Sequence, residues 1–91
     1  MSLAAKRHLS RVAELGCIAC RLLGVEGSPA EVHHPRFAAG AGQRASDFLA
    51  IPLCPEHHRG PRGVHGDKSI LRQLKVDEPA LLAFTLEELF R

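Results

Sequence analysis

Apolar residues at helical spacing predict a helix over Leu3 to Leu15, close to the start of the chain. Gly16 follows directly and can adopt the left-handed conformation that ends a helix. His8 lies within this helix, and we expect it on the surface. The residues expected to share the apolar face are Ala5, Leu9, Val12 and Ala13.

Two further helices are predicted in the last third of the chain, over Asp67 to Lys75 and from Asp77 onward. Asp77 can cap the second of these, with Glu78 and Pro79 in its first turn. Leu81 and Phe84 are expected to point elsewhere, toward the cysteine-containing part of the chain or toward a second subunit. The residues expected to share the apolar face are Leu82, Ala83, Leu86, Leu89 and Phe90.

Short apolar segments predict two strands in the middle of the chain. One spans Glu31 to His34 and is closed by Pro35, and the other spans Phe48 to Leu53. Pro52 in the second segment indicates an edge strand or a bulge. Residues 37–46 between them are rich in Gly and Ala and are predicted to form a loop. A short helix starting at Pro55 and a bend over residues 60–63 follow, which predicts an α+β fold.

Two Cys/His pairs have the spacing of zinc half-sites: Cys17-x2-Cys20 and Cys54-x2-His57, with Cys17 and Cys20 in a tight turn. The 33 residues between the pairs are enough for a two-stranded hairpin. Three cysteines are an odd number, so mixed Cys/His ligation of one structural Zn2+ explains them better than disulfides. The alternatives are free thiols with a coincidental third, or His58 replacing His57 as the ligand.

The composition favours a metal as a structural element. The chain has 91 residues with four Phe, no Trp and no Tyr, so one thin core is expected. No apolar run is long enough to span a bilayer, and the charged, amphipathic first twenty residues do not resemble a secretory signal. We therefore expect a single domain over residues 1–91 without a membrane partner. Mixed Cys/His zinc ligation indicates a reducing compartment, so we expect the domain to be cytoplasmic.

The charge is uneven along the chain. Residues 1–72 hold ten Lys/Arg and six Asp/Glu, a net of +4, whereas residues 73–91 hold two and four, a net of −2. The basic part therefore carries the Cys/His motifs, which suits either a polyphosphate partner or an ordinary solvated surface. The basic residues that closely follow a Cys or His motif are Arg36, Arg44, Arg59, Arg62, Lys68 and Arg72.

Taken together, these motifs resemble the HNH (His-Me finger, ββα-metal) endonucleases, most closely the phage recombination-enhancement (Ref-like) subfamily. The resemblance covers about residues 15–67 and extends more loosely to the tail. The residues that carry it are Cys17-x2-Cys20, His33-His34, Ser46-Asp47, Pro52-Leu53-Cys54-x2-His57-His58 and Gly63-x-His65-Gly66. The resemblance implies an N-terminal helix over 1–16, a zinc-stapled ββα core over 17–66 and C-terminal helices over 67–91.

The resemblance also implies roles for the remaining histidines. His34 is the general base, and His33, His58 and His65 surround a catalytic divalent metal (Mg2+, Mn2+ or Zn2+). Adjacent strand residues point to opposite faces, so which of His33 and His34 faces the metal stays open. Whether His65 reaches it depends on the 60–63 bend. The family's bracing Asn is absent, and Asp47 lies near its position.

The function that these expectations favour is metal-dependent hydrolysis of DNA phosphodiester bonds by a recombination-related phage nuclease. Single-stranded, double-stranded or recombinase-coated DNA is the expected substrate, and few aromatics argue against base stacking as the main grip. The alternatives are an inactive DNA- or protein-binding module of the same fold, and a zinc-ribbon-like interaction protein. The residues expected to hold the phosphate backbone are Arg36, Arg44, Arg59 and Arg62.

Overall fold

The computed structural model describes residues 2–38 and 45–91. Two long helices, α1 (Leu3–Glu14) and α5 (Glu78–Leu89), flank shorter elements. These are α2 (Ile18–Leu22), β1 (Glu31–His33), β2 (Ile51–Leu53), α3 (Pro55–Arg59) and α4 (Ser69–Leu74), with 3₁₀ turns at Arg36–Ala38 and Asp47–Leu49. The chain is therefore a small α+β structure, and the described residues contain no helix long and apolar enough to cross a membrane.

Side-chain caps define where several helices begin, and the cap at Asp77 confirms the prediction from the sequence. Ser2 Oγ accepts a hydrogen bond from the Ala5 amide at α1, and Asp77 Oδ1 accepts one from the Ala80 amide at α5. Gly16 follows α1 with a φ of 77°, the left-handed conformation expected at a helix end. The predicted tight turn at Cys17 is instead the start of α2, because the Cys17 sulfur caps the Cys20 amide.

The two strands form one antiparallel sheet in which Glu31 pairs with Leu53 and His33 pairs with Ile51. Strand β2 begins three residues later than predicted, because Ser46 Oγ caps the Phe48 amide and starts a 3₁₀ turn there. Pro52 pairs with Val32. Both strands of a two-stranded sheet are edge strands, so Pro52 can sit where its missing N–H costs no ladder bond.

One apolar core joins the two Cys motifs to the C-terminal helices. Its buried members are Cys17, Ile18, Ala19, Ile51, Leu53, Val64, Ile70, Leu81 and Leu82. Helix α5 packs against α2 and β2 through this cluster. A chain of this size therefore builds its core around the segment that carries the first cysteine pair.

The apolar face of α5 differs from the prediction. Leu81 and Thr85 are fully buried, whereas Ala83 and Phe90 are exposed. Thr85 can be buried because its hydroxyl donates to the Leu81 carbonyl at 2.8 Å. Leu81 packs in the cluster that contains Cys17, so of the two expected coverings it takes the cysteine-containing segment. Helical spacing alone misplaced this face because residues 79–84 are all apolar, so this part of the helix has no polar side to mark the opposite face.

Candidate active site

Four of the sequence-predicted ligands converge in one cluster: Cys17, Cys20, Cys54 and His57. Nδ1 of His57 lies 3.5 Å from the sulfurs of Cys17 and Cys20 and 3.4 Å from that of Cys54. The sulfurs of Cys20 and Cys54 are 3.9 Å apart, and no cysteine forms a disulfide.

These separations fit a tetrahedral metal site. Bonds of about 2.3 Å to sulfur and about 2.0 Å to nitrogen give tetrahedral edges of about 3.8 Å between sulfurs and about 3.5 Å between sulfur and nitrogen. The observed 3.9 Å and 3.4–3.5 Å lie close to both values. Burial raises the pKa of the Cys17 thiol to about 12, so a metal that binds there must displace its proton. The cluster can therefore hold one metal ion.

Helix starts position both halves of this cluster. Cys17 is the N-cap of α2 and Cys54 is the N-cap of α3. Pro55 occupies the first turn of α3, where its missing N–H costs nothing. One helical turn then carries Cys20 and His57 back toward their capping cysteines, which is why two intervening residues suit both pairs.

Three other histidines form a second cluster: His33, His58 and His65. Their candidate ligand atoms all lie within 4.8 Å of one another. The ring centroids of His33 are 5.1 Å from those of both His58 and His65, and the latter two are 4.8 Å apart. Three imidazoles at this separation can share one divalent cation.

Glu78 orients His33, the most deeply buried of the three histidines. Its Oε1 lies 2.5 Å from His33 Nε2, and His33 is 3 % exposed. An ionised carboxylate only accepts hydrogen bonds, so Nε2 carries the proton and Nδ1 presents a lone pair. His33 Nδ1 is buried and has no hydrogen-bond partner among the described residues. Burial also lowers the pKa of His33, which favours the neutral form that a metal requires.

Glu31 orients His58 in the same way. Its Oε1 lies 2.9 Å from His58 Nδ1, which leaves Nε2 of that ring as the ligand atom. The Arg59 guanidinium grips the same carboxylate through Nε and Nη2 at 2.9–3.1 Å. Arg59 and His58 together lower the pKa of Glu31 to about 2. Arg59, expected on phosphate, therefore already pairs with a carboxylate, although it remains largely exposed.

The bend after α3 brings His65 to the cluster. The amides of Val64 and His65 donate to the carbonyls of His57 and His58, each at 2.9 Å, so the chain folds back along the end of α3. A Cβ on Gly63 would lie 2.6 Å from the His57 carbonyl oxygen, and one on Gly66 would overlap the Pro61 carbonyl oxygen. This close backbone approach explains why the wide His58-x6-His65 spacing still lets both rings meet.

His34 lies outside the three-histidine cluster and contacts Asp47. His34 Nε2 and Asp47 Oδ1 are 2.8 Å apart. The carboxylate thus holds Nε2 as the protonated nitrogen and leaves Nδ1 able to accept a proton. His33 contacts Glu78 and His34 contacts Asp47, because adjacent residues at a strand end point in opposite directions.

A small pocket beside the second cluster contains two basic side chains and one carboxylate. It has a volume of about 220 Å³, and its walls include His33, His65, Arg36, Lys68 and Glu78. Arg36 therefore lies beside the histidines, as its place in the sequence led us to expect. Arg62 is exposed on the bend, and Arg44 lies outside the described residues.

Glu31 and Glu78 are site residues that were not predicted from the sequence. A signal for Glu31 exists, because residues i and i+2 of a strand share a face and Glu31 stands two before His33. Nothing local marks Glu78, which reaches His33 from another element 45 residues away.

Comparison with known proteins supplies one match. A family model described as recombination enhancement, RecA-dependent nuclease matches residues 2–86. No curated protein matches the chain significantly. The matched range contains both clusters, His34, Asp47 and the two orienting carboxylates.

Proposed function

This chain belongs to the family of recombination-enhancement, RecA-dependent nucleases, and we propose that it hydrolyses DNA phosphodiester bonds by the HNH (ββα-metal) route. In this assignment β1, β2 and α3 are the ββα unit, and the Cys17, Cys20, Cys54 and His57 cluster holds a structural Zn2+. The order strand, strand, helix and the tetrahedral spacing of the four ligands support it.

The observation that carries the proposal is the unpartnered Nδ1 of His33. A buried polar atom normally has a hydrogen-bond partner, and leaving one without a partner costs about 1–3 kcal/mol. Among the described residues His33 Nδ1 lacks such a partner, while its other nitrogen is bound to Glu78 and two more imidazoles lie within 4.8 Å. A divalent cation bound by His33, His58 and His65 would satisfy this atom and stabilise charge on the phosphate and on the leaving oxygen.

His34 is the general base in this proposal. Asp47 fixes its tautomer, so Nδ1 accepts the proton of the attacking water while Nε2 stays bound to the carboxylate. Asp47 thus takes the bracing place that an Asn holds in HNH enzymes. Arg36 and Lys68 hold the phosphate in the pocket beside His33 and His65, where their charge favours an anion.

DNA is the proposed substrate, and a recombinase-coated filament is the proposed context for cleavage, as the family description implies. Phosphate contacts from the Arg and Lys residues add affinity without selecting a sequence. The choice of cutting site would then come from the bound partner or from the structure of the DNA.

The test compares His34→Ala with His33→Ala. Zinc-loaded proteins are incubated with supercoiled plasmid, single-stranded DNA and RecA-coated DNA, with and without Mg2+ or Mn2+, and Mn2+ binding is measured calorimetrically. We expect His34→Ala to lose cleavage by about 10²- to 10⁴-fold, the usual contribution of a general base, while binding Mn2+ like the parent. We expect His33→Ala to lose both.

Asp47→Asn is the matched control, because its amide oxygen can still accept the His34 hydrogen bond. It should retain most of the cleavage that Asp47→Ala loses. DNA binding by the parent protein without cleavage of any of these substrates, with either metal, would instead identify a binding module and refute the nuclease assignment.

A further inference from the structure

A groove that is not lined by the three-histidine cluster runs between α1, α5 and the Asp47–Leu49 turn, with a volume of about 510 Å³. We name it the Phe48 groove. It is lined by Ala4, Arg7, His8, Arg11, Phe48, Leu86 and Phe90. None of these residues belongs to the proposed metal or catalytic machinery.

Two aromatic rings lie exposed in this groove, and each has a basic side chain next to it. Phe48 is 48 % exposed, and its ring centroid lies 5.2 Å from that of His8. Phe90 is 73 % exposed, and the Arg11 guanidinium carbon lies 5.9 Å from its ring centroid. Exposed rings cost solvation free energy, so their grouping on one surface indicates a binding site.

The polar atoms of the groove favour an anionic partner. Arg7 and Arg11 are one helical turn apart on α1, and neither forms an ion pair within the described parts of the chain. One nitrogen of the Arg11 guanidinium donates to the Leu89 carbonyl at 2.9 Å, which leaves its charge without an acidic partner there. No acidic residue among those described lines the groove. Nε2 of His8 is buried and has no hydrogen-bond partner among the described residues, so it can still accept or donate one.

We propose that the Phe48 groove binds single-stranded DNA, stacking unpaired bases on Phe48 and Phe90 while Arg7 and Arg11 contact phosphates. Flat rings interleaved with arginines are the means by which proteins hold single strands without sequence choice. Bases within a duplex are already stacked on each other, so they cannot use these rings. The inference rests on the proposed nuclease function, because it supplies that active site with a strand.

Chain continuity links the groove to the active site. Phe48 follows Asp47 directly, and Asp47 contacts the proposed base His34. A strand held at Phe48 therefore lies one residue from the element that braces His34. The small number of aromatics argued against stacking when only the sequence was considered. The structure leaves three of the four phenylalanines exposed, and two of them line this groove.

Equilibrium binding tests the groove separately from cleavage. The zinc-loaded His34→Ala protein is titrated, without added Mg2+, against fluorescent oligothymidine, an abasic oligomer of the same length and a duplex of the same length. In this background Phe48→Ala and Phe90→Ala should weaken oligothymidine binding about 5- to 100-fold, the loss expected for one stacked base. Neither change should alter abasic or duplex binding.

Conservative variants separate stacking from apolar contact and from misfolding. Phe48→Tyr keeps an aromatic face and should bind oligothymidine like the parent, whereas Phe48→Leu keeps an apolar side chain and should bind like Phe48→Ala. Val25→Ala removes an equally exposed apolar side chain that does not line the groove, so it should change nothing. Thermal melting of each variant verifies its fold.

Charge variants test the phosphate contacts. Arg7→Gln should weaken binding of oligothymidine and of the abasic oligomer alike, and lower the salt dependence by about one phosphate contact. Lys6→Gln is the matched control, because Lys6 is exposed on the same helix and does not line the groove.

Two results would overturn the proposal. One is Phe48→Leu binding oligothymidine as tightly as the parent. The other concerns Phe48→Ala made in the protein that retains His34. If that variant binds naked DNA like the parent but cleaves RecA-coated DNA less, the groove is a protein-docking surface. If the parent protein cleaves no DNA but Phe48→Ala and Phe90→Ala still weaken oligothymidine binding, only the nuclease function is refuted and the groove proposal stands.

Discussion

Removing the Glu78 carboxylate tests how the second cluster is held together. In Glu78→Ala the buried Nε2 of His33 loses its partner at 2.5 Å, and the ring is no longer held with Nδ1 toward His58 and His65. The candidate metal-ligating atoms of the three histidines are themselves unchanged. Any change in metal affinity therefore comes from the orientation and basicity of His33.

Two magnitudes follow. Removing a residue that orients a metal ligand typically costs 10- to 100-fold in metal affinity, which is about 1.4–2.7 kcal/mol. Leaving the buried His33 Nε2 unsatisfied costs about 1–3 kcal/mol in folding free energy. For a domain of this size each kcal/mol lowers the melting temperature by about 4–8 °C. Protonation of His33 does not compete near neutral pH, because burial already lowers its pKa.

Calorimetric titration of zinc-loaded protein with Mn2+ measures the affinity, and thermal melting measures the stability. Glu78→Gln retains an oxygen that can accept the His33 hydrogen bond, so it should recover part of the lost affinity. Glu87→Gln removes an exposed carboxylate from the same helix and should leave Mn2+ affinity unchanged.

The orientation argument is refuted if Glu78→Ala binds Mn2+ with the parent's dissociation constant. It is also refuted if Glu87→Gln weakens Mn2+ binding as much as Glu78→Gln does. In that case the overall negative charge of α5, rather than its contact with His33, would attract the metal.

Three other predictions concern the two clusters and the bend. Cys54→Ser should abolish the cooperative melting transition, because a structural zinc site typically contributes about 10 kcal/mol or more and whole domains are stable by only about 5–15 kcal/mol. The metal content of the purified proteins checks this, with about one zinc per chain expected in the parent and none in the variant. Glu31→Gln should destabilise the chain near neutral pH and lose that effect under acid conditions. The pKa of Glu31 in the folded chain is lowered from 4.5 to about 2, so the stability that its carboxylate contributes is present above pH 4.5 and disappears as the pH falls toward 2. Thermal melting of both proteins across this range is the measurement, and a difference in melting temperature that persisted at pH 2 would contradict the prediction. Gly63→Ala should displace His65, because the added Cβ would lie 2.6 Å from the His57 carbonyl oxygen. The Mn2+ affinity should then fall while the zinc content stays unchanged. A crystal structure of the variant with His65 in the parent's position would refute this prediction.

Local signals in the sequence were strong enough to predict several elements and one ligand set. The cap at Asp77, the proline in the first turn of α3 and the glycine after α1 act over a few residues, so the types of these helices could be predicted. The Cys-x2-Cys and Cys-x2-His spacings work for the same reason, because one helical turn aligns each pair. The predicted extent of β2 was less accurate because a single serine cap competed with strand formation.

Contacts between distant elements escaped prediction. Which face of α5 is buried depended on packing against α2, because the uninterrupted apolar run over residues 79–84 contains no periodicity that selects one face. Likewise, Arg59 could be recognised as basic from the sequence, yet only the fold shows that it grips Glu31.

The sequence by itself predicted α1, α3, α4, α5, the two short strands and the residues able to bind metal, because caps, turns and ligand spacings are local. The tertiary structure decided an alternative that the sequence had left open, because it places His57 with the cysteines and His58 with His33. It also brought His65 back through the glycine bend and set Glu78 against His33. These outcomes depend on chain segments up to 45 residues apart meeting in one core, and no local pattern encodes such a meeting.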